Sequence, residues 1–175
     1  MIQRLSDPIK GFKLIATKAI SKDTLIYTKS QIESDESKGW IRLRYSDLDQ
    51  IKNLVDVEIF NKFCYNITYL SVIGPISNKY VIHDSNFINH SCSPTVGLTP
   101  SGSWVALSNI KKGEELTIDY GTLIFSAEHQ FNCSCKSTNC RGKVNPEDWR
   151  RLCLESGHIF PSFMSKKIQE VIDGR

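Results

Sequence analysis

Three cysteines that lie within eight residues constrain this chain more than any other feature. They are Cys133, Cys135 and Cys140, spaced as C-x-C-x4-C. Structural zinc prefers a tetrahedral set of four sulfur ligands, so three thiols require a fourth ligand from elsewhere in the chain. Inside the cell a C-x-C pair serves a soft metal more often than a structural disulfide. The spacing therefore predicts a structural zinc site, with Cys64 and Cys153 as ordinary buried cysteines.

The composition is that of a globular chain with one domain and a small appendage. Of the 175 residues, 40% are hydrophobic and 23% are charged. No apolar run approaches the roughly 20 residues that span a bilayer. Asp7, Pro8 and Lys10 interrupt the N-terminal stretch where a signal peptide needs an unbroken apolar segment. We expect an intracellular protein, nuclear or cytoplasmic, with no signal peptide or transmembrane segment.

The net charge of +3 is small and spread along the chain. The densest basic runs are the pairs Lys111-Lys112, Arg150-Arg151 and Lys166-Lys167, which are typical of solvated faces. A nucleic-acid interface is expected to concentrate Lys and Arg in a patch or stripe. Direct nucleic-acid binding is therefore not expected. A zinc-dependent nucleic-acid binder is the least favoured hypothesis for the function of this chain.

Most of the chain has the pattern of short strands. Alternation over Phe12–Ala16 and the apolar run 24–27 predict a hairpin around Ser21-Lys22-Asp23. The β-branched and aromatic stretches 64–73 and 79–83 predict a second hairpin around a turn at 74–78. A third hairpin is predicted for 96–98 with 104–107, and a short strand for 116–118, after the turn at 111–115.

Three helices are predicted beside these strands. Residues 46–63 have apolar side chains near helical spacing, with Ser46 as the N-cap. Asn145, followed by Pro146, predicts a helix to about Glu155, and residues 162–172 predict another. The result is a mostly β fold with one inserted helix and a C-terminal helical appendage.

Two segments are rich in chemically active groups and lack the periodicity of a core element. They are Asn86–Thr95, NFINHSCSPT, and Glu114–Gly121, EELTIDYG. Together they closely resemble the paired signature of SET-domain protein-lysine methyltransferases. The resemblance implies a β-clip-like fold of short twisted sheets with a pseudoknot. It implies a SET domain at 8–124, a post-SET zinc motif at 125–145 and a C-terminal extension at 146–175.

The resemblance also implies a reaction, a cofactor and a substrate class. S-adenosylmethionine would donate methyl groups to the ε-amine of a lysine in a protein or peptide, with a histone as the commonest expectation. Tyr120 is implied as the main catalytic residue and Tyr65 as a second active-site tyrosine, with Tyr69 as its alternative. The oligomeric state is not indicated.

The implied cofactor contacts come from three places in the chain. Gly11, Phe12 and Lys13 would approach the cofactor through the main chain, because Lys13 replaces a glycine of the family pattern. Asn89 would hold the methionine part, and the backbone of His90 would contact the adenine edge. Tyr120 would lie beside the methyl group, and Phe131 would stack on the adenine.

The resemblance supplies the missing zinc ligand. Cys92, inside the NHSC segment, would complete the set with Cys133, Cys135 and Cys140. The sequence departs from the family pattern at Asn86, where an arginine is common, and at Ile118, where an aromatic residue commonly limits the number of methyl groups. The alternative of another class is a non-catalytic, zinc-bearing, SET-like interaction module, which Lys13 favours.

Overall fold

The computed structural model describes residues 1–33 and 38–174, which form four small β-sheets and several short helices. The strands are β1 (Ile2–Asp7), β2 (Gly11–Ala16), β3 (Leu25–Tyr27), β4 (Trp40–Arg44), β5 (Tyr65–Asn66), β6 (Ser71–Pro75), β7 (Asn89–His90), β8 (Val96–Leu98), β9 (Trp104–Ala106), β10 (Glu115–Ile118), β11 (Phe131–Asn132) and β12 (Lys143–Val144). The predicted mostly β fold is confirmed.

The helices are short and lie between the sheets and at the C-terminal end. The α-helices are α1 (Lys29–Ile32), α2 (Leu48–Ile51), α3 (Val57–Phe63), α4 (Trp149–Leu152) and α5 (Ser165–Asp173). Short 3-10 helices are Tyr45–Asp47, Asn78–Tyr80, Asp84–Phe87, Tyr120–Thr122, Ala127–His129 and Ser162–Met164. Among the residues described, no helix has the length and apolar character needed to cross a membrane.

The sheet that carries the two signature segments has the strand order β1-β2-β10-β7. In it β7 and β10 run parallel, with Asn89 opposite Thr117 and His90 opposite Ile118. The side chains of Leu116 and Ile118 are almost fully buried in the main core. This parallel pairing brings the two signature segments side by side, and the pseudoknot itself stays a prediction.

The predicted hairpin of residues 12–16 with 24–27 is wrong. Strand β2 pairs with β1 on one side and with β10 on the other, and β3 pairs with β9. The turn that decides this pairing lies earlier, where the Asp7 carboxylate accepts hydrogen bonds from the backbone N–H groups of Ile9 and Lys10 at 3.0 and 2.9 Å. Gly11 closes the turn with a φ of +81°, a conformation that glycine adopts at little cost.

The predicted single helix over residues 46–63 is wrong as well. The chain forms a 3-10 turn and α2, leaves helical geometry, and begins again at α3. Asp56 starts the second helix, because its side chain accepts the backbone N–H of Ile59 at 3.1 Å. Ser46 lies inside the 3-10 turn, not at a cap. The predicted core role of the segment holds in part, because Leu48 and Val55 are buried with Phe60.

The predicted hairpin of residues 64–73 with 79–83 is wrong. Strand β6 pairs with β5 and β4, whereas residues 78–80 form a 3-10 helix. Gly74 was assigned to the turn but lies inside β6, where a Cβ atom would come within 2.7 Å of the Phe60 ring. The glycine is needed there for close packing of α3 on the strand.

The remaining predictions agree better with the structure. The β8–β9 hairpin and the strand β10 are confirmed. Helix α4 is shorter than the predicted 145–155 helix, and α5 with the preceding 3-10 turn matches the predicted 162–172 helix. Trp149 and Met164 from this C-terminal segment are buried with Phe125. The segment therefore packs on the residues that follow Tyr120.

Candidate active site and zinc centre

The imidazole of His90 holds the backbone at Tyr120. The His90 side chain is only 5% exposed, and its Nδ1 accepts the backbone N–H of Tyr120 at 3.1 Å. Its Nε2 lies 3.3 Å from the Sγ of Cys92. Burial lowers the pKa of His90 to about 4, although the nearby Asp119 carboxylate opposes this shift. The neutral ring therefore carries its proton on Nε2 and directs it at the sulfur.

The Tyr120 side chain extends from the second signature segment and contacts the first. Its hydroxyl donates a 2.6 Å hydrogen bond to the backbone carbonyl of Ile88. The rings of His90 and Phe131 contact it, with centroids 5.5 and 6.0 Å away. Burial raises the pKa of Tyr120 to about 12, and the Glu115 carboxylate adds to this. At neutral pH the Tyr120 hydroxyl is protonated. Its proton is used in the hydrogen bond to Ile88, and its oxygen still has lone pairs that can accept a hydrogen bond.

A cavity of about 340 Å³ brings the two predicted catalytic tyrosines together. Tyr65 and Tyr120 both line it, whereas the alternative Tyr69 packs between Phe125 and Trp149. Of the two alternatives, Tyr65 lines this cavity and Tyr69 does not, and the role of Tyr65 stays a prediction. The wall also includes Asn86, whose Nδ2 is buried and makes no hydrogen bond within the described residues.

One side of this cavity comes from the predicted C-terminal helical extension, which contains none of the predicted site residues. Pro161, Ser162 and Phe163, which precede α5, contribute to the lining. The ring of Phe163 stands edge-on to Phe125 at 5.8 Å. No motif marks these residues in the sequence, because their position depends on how the C-terminal segment folds back.

The Asn89 amide joins three strands at one corner of the site. Its Nδ2 donates to the backbone carbonyl of Phe12 at 2.9 Å and to the Glu115 carboxylate at 2.7 Å. Glu115 also pairs with the Lys10 ammonium at 2.9 Å. The two amide N–H groups are therefore used inside the protein, and the Oδ1 of Asn89 is the atom suited to a ligand that donates hydrogen bonds.

The loop at the start of β2 presents backbone and an aromatic face. A Cβ atom at Gly11 would meet nothing within 4 Å, and the side chain of Phe12 is 41% exposed. The Lys13 ammonium turns back to Asp7 at 3.3 Å, away from β7. The predicted main-chain approach of a cofactor here is compatible with a lysine at this position.

The predicted zinc cysteines come together around Cys133. Its Sγ lies 3.8 Å from that of Cys92 and 3.7 Å from that of Cys140. With zinc–sulfur bonds of about 2.3 Å, the edge of a tetrahedral four-sulfur site is about 3.8 Å. The Cys135 Sγ accepts the backbone N–H of Cys92 at 3.5 Å, and the Cys92 Sγ accepts that of Arg141 at 3.4 Å. This donor set fits zinc, and such N–H contacts stabilise bound thiolates.

His90 was not predicted as a zinc ligand, yet it adjoins the cluster. One of its ring nitrogens and the Sγ atoms of Cys92, Cys133 and Cys135 lie within 4.8 Å of one another. A neutral imidazole has a single nitrogen lone pair, and here that lone pair accepts the Tyr120 N–H. The Sγ of Cys140 contacts that of Cys133 but is not part of this group of four, and Cys140 stays the predicted fourth ligand. With its lone pair used by Tyr120, His90 is suited to donate a hydrogen bond to the sulfur of Cys92.

Phe131 connects the cysteine cluster to the site. It lies on β11, which pairs with β12 on the other side of the cysteine loop. Its ring meets the His90 ring edge-on at 5.4 Å. The Phe131 ring is half-buried, and its stacking on an adenine stays a prediction.

Comparisons with known proteins agree with this arrangement. Over 81 residues the chain is 37% identical to the "Methyltransferase flvH" of Aspergillus flavus, a stretch that covers 44% of this chain and 46% of that protein. Over 146 residues it is 27% identical to the "Histone-lysine N-methyltransferase, H3 lysine-36 specific" of Candida albicans, covering 79% of this chain and 16% of that protein.

A solved structure shares the fold. The crystal structure of KRYPTONITE in complex with mCHG DNA and SAH superposes with a TM-score of 0.51 at 20% identity, covering 82% of this chain and 28% of that one. The chain thus spans less than half the length of each of these three proteins. The model of the SET-domain family matches residues 11–121, which is more than half of the chain, and this chain therefore belongs to the SET-domain family.

Proposed function

We propose that this chain is a protein-lysine N-methyltransferase that uses S-adenosylmethionine. The observation that carries the proposal is the neutral Tyr120 phenol, which shares a cavity with Tyr65 and lies beside the paired signature strands. Family membership and the names of the relatives support it. S-adenosylmethionine, when bound, would supply a methyl group on a positively charged sulfur, which is already activated for displacement.

The chain's own residues would bind the cofactor near the corner at Asn89. The Oδ1 of Asn89 would accept hydrogen bonds from an ammonium group, because its N–H groups hold Phe12 and Glu115. The exposed backbone at Gly11 and the ring of Phe131 would border the same space, with Phe131 stacked on the adenine. The main chains of Phe12, Lys13 and His90 would complete the contacts.

Tyr120 would orient the substrate amine. Since its proton is donated to the Ile88 carbonyl, the phenolic oxygen would use its lone pairs to accept an N–H of the amine. This contact would point the nitrogen lone pair at the methyl carbon. A lysine has a pKa near 10.4 in water, and entry into the cavity would lower it because burial disfavours the charged form. Tyr65 would form the opposite side of the same space.

We further propose the domain arrangement and the partners. The SET domain would occupy 8–124, the post-SET zinc motif 125–145 and the helical extension 146–175. Zinc held by Cys92, Cys133, Cys135 and Cys140 would be structural, since it would pin the loop that carries Phe131. The substrate is a protein lysine, with a histone proposed from the relatives' names. A nuclear or cytoplasmic location is proposed with it.

Methyl transfer from labelled S-adenosylmethionine tests the proposal. Purified chain is incubated with a panel of lysine-bearing proteins, histones included, beside a Tyr120→Phe variant. Transfer above that of the variant, with the label on lysine by mass spectrometry, supports the activity. If transfer is equal in both, catalysis by this site is excluded. Calorimetry with S-adenosylhomocysteine then separates the alternatives, because a non-catalytic module with a closed pocket would bind none.

A further inference from the structure

Asp119 and Arg141 form a buried ion pair directly beside Tyr120. The Asp119 side chain is 1% exposed and that of Arg141 is 10% exposed. The guanidinium donates from Nη1 to Oδ2 at 2.7 Å and from Nη2 to Oδ1 at 2.6 Å. Such a two-pronged contact fixes the orientation of both groups and not only their distance.

The same carboxylate shapes the backbone that carries Tyr120. Oδ1 of Asp119 accepts the backbone N–H of Gly121 at 2.9 Å and so caps the 3-10 helix Tyr120–Thr122. The backbone N–H of Tyr120 itself is bound by His90. The side chains of His90 and Asp119 therefore bind two consecutive backbone N–H groups, those of Tyr120 and Gly121.

Arg141 reaches two further parts of the molecule. Its Nε donates to Oδ2 of Asp148 at 3.0 Å, and the same oxygen accepts the backbone N–H of Asn145 at 3.2 Å. Its own backbone N–H donates to the Sγ of Cys92 at 3.4 Å. One residue thus contacts a zinc-site sulfur, the carboxylate next to Tyr120 and the start of the C-terminal segment.

The turn at Gly121 packs closely against Arg141 and helix α4. A Cβ atom at Gly121 would lie 2.9 Å from Cδ1 of Leu152 on α4 and 3.1 Å from Nη2 of Arg141. Leu152 is 1% exposed, so it has little room to move away. The ring of His158 also approaches Asp119, with Nδ1 at 3.8 Å from Oδ2. A shift of Arg141 or of α4 would therefore be transmitted to the turn that begins at Tyr120.

We infer that Arg141 is a positioning residue for Tyr120, coupling the zinc-site loop and the C-terminal segment to the geometry of methyl transfer. The inference rests on the proposed function. Its physical basis is that transfer depends on alignment, so a small displacement of the phenol reduces turnover more than it reduces binding. Arg141 touches neither the cavity nor the corner at Asn89 among the contacts described, and so its loss should leave both binding steps intact.

The test compares the single variant Arg141→Gln with a double variant. The double variant carries both Asp119→Asn and Arg141→Gln. The single change leaves a buried carboxylate without its partner, which can unfold a protein. The double change removes both charges of the Asp119–Arg141 pair, and the asparagine oxygen can still accept the Gly121 N–H. Asp148 also loses Arg141 but keeps the backbone N–H of Asn145. Arg141→Lys is included because an ammonium keeps the charge but not the two-pronged contact. Arg151→Gln is the matched control, since its pair with Glu155 is exposed.

We expect the double variant to fold, bind zinc with unchanged stoichiometry and bind S-adenosylhomocysteine with unchanged affinity. Its kcat should fall about 10- to 100-fold while KM for the peptide changes less than about twofold. Arg141→Lys should give an intermediate kcat, and Arg151→Gln the wild-type value. A folded, zinc-bound double variant with wild-type kcat overturns the inference, and so does a double variant that cannot fold. No transfer by the wild-type chain overturns the proposed function and the inference with it.

Discussion

The Sγ atoms of Cys92 and Cys133 lie 3.8 Å apart, although 41 residues separate them in the sequence. This distance is the edge expected of a tetrahedral zinc–sulfur site. It means that one ion would join the NHSC segment to the loop that carries Phe131. The consequences of this junction can be measured.

Removal of zinc should loosen the C-terminal part of the chain. Because zinc binding contributes directly to folding, a strong chelator or a Cys133→Ser change should lower Tm and abolish the bound metal. Metal content by atomic absorption and Tm by calorimetry check this. Cys153→Ser is the control, since that cysteine is outside the predicted set. Equal metal content in Cys133→Ser and wild type would contradict the zinc assignment.

The ligand set itself can be decided by comparing two changes. Cys140→Ser removes a proposed ligand, and His90→Gln removes a hydrogen-bond donor to Cys92. Loss of an outer partner typically costs about 10- to 100-fold in metal affinity, so we expect a larger loss for Cys140→Ser than for His90→Gln. Competition with a chromophoric chelator measures both affinities. The reverse order would make His90 the fourth ligand.

Loss of the Tyr120 hydroxyl should reduce turnover strongly. Tyr120→Phe removes the oxygen that orients the amine, and a preorganised polar group of this kind is worth about 100-fold or more in kcat. It also leaves the Ile88 carbonyl without its donor, at a cost of about 1–3 kcal/mol in stability. Tyr69→Phe is the matched control, because Tyr69 lies outside the cavity. A rate for Tyr120→Phe equal to that of the control would remove Tyr120 from the mechanism.

The cavity wall near α5 should influence the KM for the peptide substrate. Phe163→Ala enlarges the cavity, and we expect KM for the peptide to rise several-fold as apolar contact is lost. Phe160→Ala provides a close comparison, since Phe160 packs on the same cluster but does not line the cavity. Steady-state kinetics with one peptide distinguishes them. If both variants change KM equally, Phe163 acts through packing alone.

Alkaline pH should destabilise the fold through Cys64. Burial raises the pKa of the Cys64 thiol from 9.0 to about 12. Between these values the folded chain binds more protons than the unfolded chain, so stability falls as pH rises, by about 1.4 kcal/mol per pH unit for one such group. Urea unfolding at pH 8 and pH 10 measures the loss for wild type. Cys64→Ala should lower stability at both values but reduce the difference between them, and an unchanged difference would exclude Cys64 as its source.

The signature segments and the cysteine pattern were predictable because their chemistry is local in the sequence. The β8–β9 hairpin follows from the turn residues Pro100-Ser101-Gly102 between two apolar runs, and β10 from the strand pattern of its own residues. The C-terminal helix at Ser165–Asp173 was predicted for the same reason. In each case the residues that decide the element are its own or its immediate neighbours.

The pairing of strands and the break in the predicted 46–63 helix could not be predicted in the same way. The residues of a strand do not determine which strand it pairs with. The Asp7–Gly11 turn places β1 beside β2, and the pattern of β2 alone does not predict this. The apolar spacing of residues 46–63 fits a continuous helix, but Asp56 and the burial of Val55 restart it at α3. Packing decided these points, and packing depends on residues far away in the chain.

What the sequence determined by itself was an inventory: a C-x-C-x4-C metal pattern, an amide, an imidazole and a phenol in two signature segments, and a mostly β chain around them. Only the tertiary structure decided that Tyr65 and not Tyr69 shares the cavity with Tyr120, that Phe163 closes one side, and that Arg141 holds Asp119. The physical reason is that these contacts join side chains from distant segments. Their distances are set by how sheets and helices pack, and no local spacing encodes them.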